Sequence, residues 1–312
     1  MITISTRKSK LAMWQTESVA AMLKKAGLES EILSMETLGD KVLNTSIAKI
    51  GSKGVFTEEL EQQLASGVAD IAVHSAKDLQ SVLPESFELI AFTERESVYD
   101  VLLSRGEVDL NDATKPLVIG TSSVRRRAFL RHYFPHVKLV DMRGNLQTRI
   151  GKMDAGDCDA LILAFAGVRR MGYESMIVHR FDPAEFIPPV GQGCIAVESA
   201  VGLDAEKRAA VRAAVNDEES EVCLVAERAF LKKLEGGCSI PAFGYATLND
   251  GRLLLRVGLS SLDGAEMIHR EETILLGGAK LVEAAALGTR LGGDVLVSGG
   301  KRMLAEIRAE QG

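Results

Sequence analysis

Cysteine is scarce and unpatterned in this chain of 312 residues: Cys158, Cys194, Cys223 and Cys238 stand far apart, with no CxxC or His-Cys spacing. That distribution suggests neither a zinc or other metal site nor a disulfide framework, and it fits a reducing cytoplasm. Long apolar runs are also missing. No segment approaches the ~20 residues needed to span a bilayer. The opening MITISTRKSK turns polar after four residues, so neither a membrane anchor nor an export signal is expected. A basic excess is absent too, and the formal net charge of −6 argues against nucleic-acid binding. What remains, 46% apolar and 26% charged, is an ordinary globular composition long enough for two or three domains.

Residues 2–5 alternate like a short strand, and Thr6, Arg7, Lys8 and Ser9 lead into a helix expected to carry Leu11, Trp14, Ser18 and Met22 on one face before Gly27 stops it. A strand is expected at 31–35. The polar run 38–54, with Gly39, Gly51 and Gly54 and no apolar period, reads as a mobile lid whose Lys49 and Lys53 reach toward bound carboxylates. Thr57 can cap the next helix, Glu58 and Glu59 suit its positive end, and Gly67 closes it. After 87–93 the pattern weakens. It restarts at Leu117 as LVIGTSSVRRRAFL, which repeats the opening ITISTRKSKLAMW as strand, polar turn, basic residues and helix. A strand at 137–142, the turn Arg143-Gly144-Asn145, a helix with Leu146, Ile150 and Met153 and a strand at 160–163 continue this second round.

Two similar α/β halves with a cleft between them are therefore expected, a frequent setting for small-molecule sites. IPPVGQGCIAVE reads as a return crossing from the second half into the first. The run 217–234 is helical and ends at Glu235-Gly236-Gly237; the hairpin signals Asn249-Asp250-Gly251 and Asp263-Gly264 then mark an antiparallel meander, with helices at 279–291 and 301–310. The fold class expected is α/β in three domains: 1–94 with 194–213, 99–188, and a smaller α+β domain at 217–312 with a three-stranded antiparallel sheet.

The stretch ADIAVHSAKDLQS reads as a buried strand delivering a charged loop, with His74, Ser75, Lys77 and Asp78 arriving within five positions. Ligands in open α/β sheets sit beyond the carboxyl ends of strands, which makes Asp78 the first functional candidate. A charged pair after a strand also describes a solvated turn. Arg125, Arg126 and Arg127 follow Thr121, Ser122 and Ser123 at an expected helix start, where free amides already favour an anion; a solvated basic face is the plainer alternative. Arg7, Arg143, Arg149, Arg169 and Arg170 fall near strand ends in both halves, and arginine forks suit a polycarboxylate ligand. Cys238 follows two glycines in a loop, unlike the other three, although unpaired cysteines are more often inert.

The motif AVHSAKDL resembles the signature of the porphobilinogen deaminase (hydroxymethylbilane synthase) family, with Gln80 where that family usually has proline. STRKSKLAMWQ, KGVFTEEL, GTSSVRR, MRGNLQTR, AGVRRMG, VGQG and GGCSIP extend the resemblance in family order over most of the first 245 residues. It implies α/β halves similar to type II periplasmic binding proteins. It also implies a cytoplasmic monomeric transferase joining four porphobilinogen molecules, with Asp78 catalytic and a dipyrromethane cofactor held through a thioether at Cys238. Lys77, Thr121, Ser123, Arg125, Arg126, Arg143 and Gly144 are then implied to contact the cofactor, and Arg7, Arg149, Arg170, Ser75, Phe56 and Gln192 the substrate. A solute-binding module, or a different ammonia-releasing or carboxylate-binding enzyme on the same scaffold, stays open on the residues alone.

Overall fold

The computed structural model describes residues 1–37, 57–237 and 239–311. The chain runs β1 (Ile2–Arg7), α1 (Lys10–Lys25), β2 (Ser30–Met35), α2 (Glu58–Ala65), β3 (Ile71–Ser75), β4 (Phe87–Phe92), β5 (Asp100–Leu103), β6 (Val118–Gly120) and α3 (Val124–Tyr133). It continues with β7 (Lys138–Val140), α4 (Leu146–Asp154), β8 (Ala160–Ala164), α5 (Phe165–Arg170), β9 (Ile177–Arg180), β10 (Ile195–Ala200), α6 (Ala205–Val215) and α7 (Glu218–Lys233). Strands β11 (Ala242–Asn249), β12 (Arg252–Ser260) and β13 (Met267–Leu275) and helices α8 (Lys280–Val295) and α9 (Lys301–Gln311) complete it.

Two five-stranded sheets have matching plans, β2-β1-β3-β10-β4 and β7-β6-β8-β5-β9. In each, three parallel strands are followed by an antiparallel one that reaches the sheet from a crossing segment. β10 returns from the second half and pairs Val197 with Val73, while β5 goes out from the first and pairs Val101 with Leu163. The expected three-stranded antiparallel sheet is present as β11-β12-β13. The repeated strand–turn–helix is thus the first βα unit of each sheet, and its helix starts alike: Ser9 and Ser123 accept from the backbone N–H groups of Ala12 and Arg126.

Several local expectations are corrected. Helix α1 buries Gln15, Thr16, Val19 and Leu23 rather than a face of Leu11, Trp14, Ser18 and Met22, and Trp14 is 37% exposed. The polar pair is buried because Thr16 Oγ1 donates to Thr6 Oγ1 at 2.7 Å and Gln15 Nε2 to Ser75 Oγ at 2.9 Å. Thr57 stands at the start of α2 but makes no capping bond with its side chain. The weakly patterned stretch after 93 contains β5, and β9 also went unanticipated; β7 is shorter than the expected 137–142. At the end of α7 the residue in the left-handed region is Glu235, at φ +50, where a glycine is usual. The run 38–54, with its lysines, lies outside the described residues.

The C-terminal core is continuous with the first half. Phe230, Leu253, Leu255, Leu287 and Leu291 belong to the same buried cluster as Ala76, Leu79 and Phe92, so the turn after β3 is packed onto the third sheet's helices. Glu227 of α7, fully buried, reinforces this junction: its carboxylate takes Arg95 Nη1 at 2.5 Å and Nη2 at 3.1 Å, and accepts the N–H groups of Gly191 at 2.9 Å and Ala246 at 2.8 Å. Arg95 and Gly191 lie one on each crossing between the sheets. Glu227→Gln leaves Arg95 buried without its counter-charge, which should cost about 3–5 kcal/mol. A thermal melt of that variant should show a clear drop, while an unchanged melt would mean the pair contributes nothing net.

Candidate active site at the sheet junction

The apolar run 71–73 of β3 is buried between β1 and β10, His74 stays buried beside Glu198 at 2.9 Å, and Ser75 begins to emerge at the carboxyl end. There Ala76–Asp78 form one tight helical turn, in which Ala76 points into the core, Lys77 is half-buried and Asp78 is exposed. Asp78 lines a cleft with Arg7, Ser75, Gln15 and Thr57. At the exit, where Gln80 departs from the family's proline, Arg228 Nη2 of α7 donates to the Gln80 carbonyl at 2.8 Å and Gln80 Nε2 reaches Thr57 Oγ1 at 3.5 Å. Arg228 and Thr57 thus hold the exit of the turn from α7 and from the start of α2.

The cations come from both halves. Burial and then the neighbouring Arg126 push the Lys77 ammonium down to about 8, against the opposing fields of Asp78 and Asp100. Arg149 is pushed down to about 10 by burial and again by Arg126 and Arg143, with Asp78 opposing. Lys77 and Arg149 thus both lie within electrostatic reach of Arg126 and of Asp78. Arg149 Nε donates to the Gly144 carbonyl at 2.7 Å, and Gly144 itself turns at φ +112. Arg143 is held by Asp141, its Nε and Nη2 each 3.2 Å from Oδ2. Arg170 donates to the Gly193 carbonyl at 2.9 Å and lies 5.4 Å from the centre of the Trp14 ring, joining α5 of the second half to α1 of the first. Burial lowers its pKa, with Glu96 opposing.

Other expected contacts have work of their own. Ser123 caps α3, and Thr121 Oγ1 accepts the Ser123 N–H at 3.2 Å. Arg125, 3% exposed, pairs with Asp100, gives Nη1 to the Ile187 carbonyl at 2.9 Å and lies 5.6 Å from the rings of Phe129 and Phe186. Arg126 gives Nε and Nη2 to Asp100 at 3.1 and 2.8 Å. Gln192, fully buried, donates to Asp100 at 3.0 Å and to the Val98 carbonyl at 2.7 Å, and accepts from Lys77 Nζ at 3.5 Å. Phe56 and Cys238 lie outside the described residues. Sequence reasoning missed Asp100, Gln15 and Arg95; the first stands as a lone acid before the apolar DVLL run, the only local signal it had.

The three described cysteines are buried and poor thiolates. Burial pushes Cys194 up to about 11 and, with Glu227, Cys223 up to about 12; burial also raises Cys158. Among the described residues, no group of three or more His, Cys, Asp or Glu is placed to hold a metal ion.

Gly191 at φ +80 sets the spacing between the return crossing and the charged turn. A Cβ there would stand 2.8 Å from the Ala76 carbonyl carbon and 2.9 Å from the Lys77 nitrogen. Gly191→Ala should cost about 1–3 kcal/mol in backbone strain and displace Lys77. A melting curve read alongside the acetylation rate of Lys77 checks this; wild-type values in both would mean the turn yields freely.

Comparison with known proteins agrees over the whole chain. The family model described as "Porphobilinogen deaminase, dipyromethane cofactor binding domain" matches residues 2–208, and "Porphobilinogen deaminase, C-terminal domain" matches residues 221–296. A porphobilinogen deaminase of Desulfosudis oleivorans is 58% identical over 311 residues, 99% of each chain. One from Cytophaga hutchinsonii is 51% identical over 307 residues, 98% of this chain and 97% of that one. Among solved structures, the BvgS periplasmic VFT2 domain of Bordetella pertussis aligns at 18% identity over 68% of this chain and 86% of that chain, with a TM-score of 0.42. With both family models matched in order and relatives this similar along their full length, the chain belongs to the porphobilinogen deaminase family.

Proposed function

We propose that the cleft beside Asp78 condenses four porphobilinogen molecules head to tail, releasing ammonia at each addition and yielding the linear tetrapyrrole hydroxymethylbilane. The observation that carries this reading is an exposed carboxylate surrounded by cations from both halves of a chain in this family. The chemistry of the ligands fits that arrangement. Acetate and propionate side chains call for arginine and lysine, and pyrrole N–H groups call for an acceptor. When bound, the dipyrromethane supplies the fixed end from which the product grows.

Asp78 accepts hydrogen bonds from pyrrole N–H groups and stabilises the positive charge that develops on porphobilinogen as its aminomethyl nitrogen departs. It also moves protons at ammonia loss and at ring deprotonation. Arg7, Arg143, Arg149 and Arg170 bind ring carboxylates, joined by Arg126 and Lys77 where the halves meet. Arg125, Thr121 and Ser123 keep α3 and its arginines in place, and Gly144, Ser75 and Gln192 do the same for Arg149, Gln15 and Lys77. Phe56 belongs to the substrate side. The thioether falls to Cys238, a reading supported by the burial and raised pKa values of the other three thiols. Sheet membership supports domains at 1–94 with 194–213, 99–188 and 217–312. Among the described residues no helix is long and apolar enough to cross a membrane. We take the enzyme to be a cytoplasmic monomer.

Asp78→Asn should lower porphobilinogen turnover by about 10²–10⁴ with little change in melting temperature, because Asp78 is exposed and outside the core. Near-normal turnover would remove Asp78 from the chemistry. Cys238→Ser should give folded protein lacking a covalent pyrrole adduct by intact mass, and retention of the adduct would reassign the attachment. Lys77 is charged below about 8 and neutral above it, so affinity for porphobilinogen should weaken as pH rises through that value. A KM that stays flat between pH 7 and 9, at constant ionic strength, would exclude a role for that charge.

A further inference from the structure

Asp100 opens β5 where the chain enters the second sheet, and it is 1% exposed. Its Oδ1 accepts Arg126 Nε at 3.1 Å, Arg126 Nη2 at 2.8 Å and Gln192 Nε2 at 3.0 Å, while its Oδ2 accepts Arg125 Nη2. Gln192 passes the connection on, accepting from Lys77 Nζ at 3.5 Å. One unbroken chain of polar contacts therefore runs from α3 in the second half, through a residue of the return crossing, to the charged turn of the first. One carboxylate also faces two guanidiniums, so the buried group retains a surplus positive charge.

We propose that Asp100 is a positioning residue for the anion site: it holds Arg126 and, through Gln192, Lys77 in register with Asp78, and leaves the arginine pair one positive charge in excess for a ligand carboxylate. The kinetic consequence rests on the reading of the cleft as a porphobilinogen site; the electrostatic one does not. A carboxylate serving only as a core contact would stabilise α3 against the sheet and leave KM unchanged in the folded variant, whereas its field at Lys77 acts in either case. Burial alone would raise the Asp100 carboxyl, but Arg125 and Arg126 outweigh it and hold it well below the usual range, so Asp100 is charged wherever the enzyme works. The charged groups facing Lys77 are Arg126, Asp78, Asp100 and Arg125, in falling order of influence.

The test uses Asp100→Asn and Asp100→Glu in the enzyme as purified. Acetylation of Lys77 as a function of pH, followed by mass spectrometry, gives its titration midpoint, and turnover gives KM and kcat. In Asp100→Asn the midpoint should fall below the wild-type value of about 8. KM for porphobilinogen should rise roughly tenfold or more, the size of a lost charge-assisted contact. Asp100→Glu should recover part of both. An unchanged Lys77 midpoint, or an unchanged KM, in folded Asp100→Asn overturns the proposal. Should Asp100→Asn fail to fold, the double variant Asp100→Asn with Arg125→Met removes one buried charge of each sign. Its midpoint should still lie below wild type and its KM should stay raised, because Arg126 has lost its anchor. Wild-type values in both overturn the proposal. Failure of the wild-type enzyme to turn over porphobilinogen would instead sink the functional reading, while the Lys77 midpoints would still judge Asp100.

Discussion

Two buried arginines sharing one carboxylate set the terms on which the rest of the molecule is assembled. Taking charges out of water costs several kcal/mol per ion. Arg125 and Arg126 lie 3% and 7% exposed only because Asp100, the carbonyls of Ile187 and Ile162 and the faces of two phenylalanine rings receive them. Apart from the Phe129 ring on α3 itself, those partners come from β5, from the approach to the return crossing and from β8, so the ion cluster ties α3 to the second sheet and to that crossing. Helix α3 is consequently fixed at the end that carries its charges, and the surplus positive charge is built into the fold rather than left to mobile surface side chains.

The two crossings are where all three parts of the chain meet. The outgoing segment carries Arg95 and the returning one carries Gly191 and Gln192, and Arg95 Nε donates to the Gln192 carbonyl at 2.9 Å. Glu227 then clamps both from α7. The turn bearing Lys77 and Asp78 rests on the same junction through Ala76 and Leu79, each 2% exposed. A polar turn at the end of a strand would ordinarily be free to fluctuate. Here apolar anchors flank its charged residues, and its exit is held by Arg228, so the exposed carboxylate of Asp78 has a firm base.

Much of this was legible in the sequence because it is periodic or punctuated. The repeated strand–turn–helix, the return crossing and the hairpins at Asp250 and Gly264 all follow from apolar alternation and turn residues. The exposed Asp78 at a strand end follows from the same logic, as does the gathering of Lys77, Arg126, Arg149 and Arg143. What escaped has the opposite character. β5 is only four residues long, and its partners lie about sixty and eighty positions away. Asp100 gives no local sign that it will meet arginines 25 and 26 positions later. The face of α1 was misjudged because hydropathy marks Trp14 and Met22 for burial, whereas tertiary hydrogen bonds bury Gln15 and Thr16. Pairing between distant polar groups leaves no periodicity to read.

The two aspartates near the junction show how one functional group is given two tasks by its surroundings. Asp100 has its oxygens committed to arginine and glutamine donors, and the arginines hold its carboxyl well below the usual carboxylate range. Buried, with both oxygens already accepting hydrogen bonds, it acts on the cleft through its neighbours and its charge. Asp78 lies beyond the last turn of a buried strand, exposed, and borders Lys77 and Arg149 electrostatically. Its oxygens remain accessible to hydrogen-bond donors in the cleft. A site that must bind a heavily anionic ligand and still stabilise a cation needs this separation. Were the cations neutralised by the exposed acid they would lose their hold on carboxylates, and were the exposed acid fully paired it would lose its use. On the proposed reading, giving the neutralising task to a buried carboxylate leaves the surplus positive charge of the arginine pair, with Asp78 as an exposed negative group, to meet the ligand.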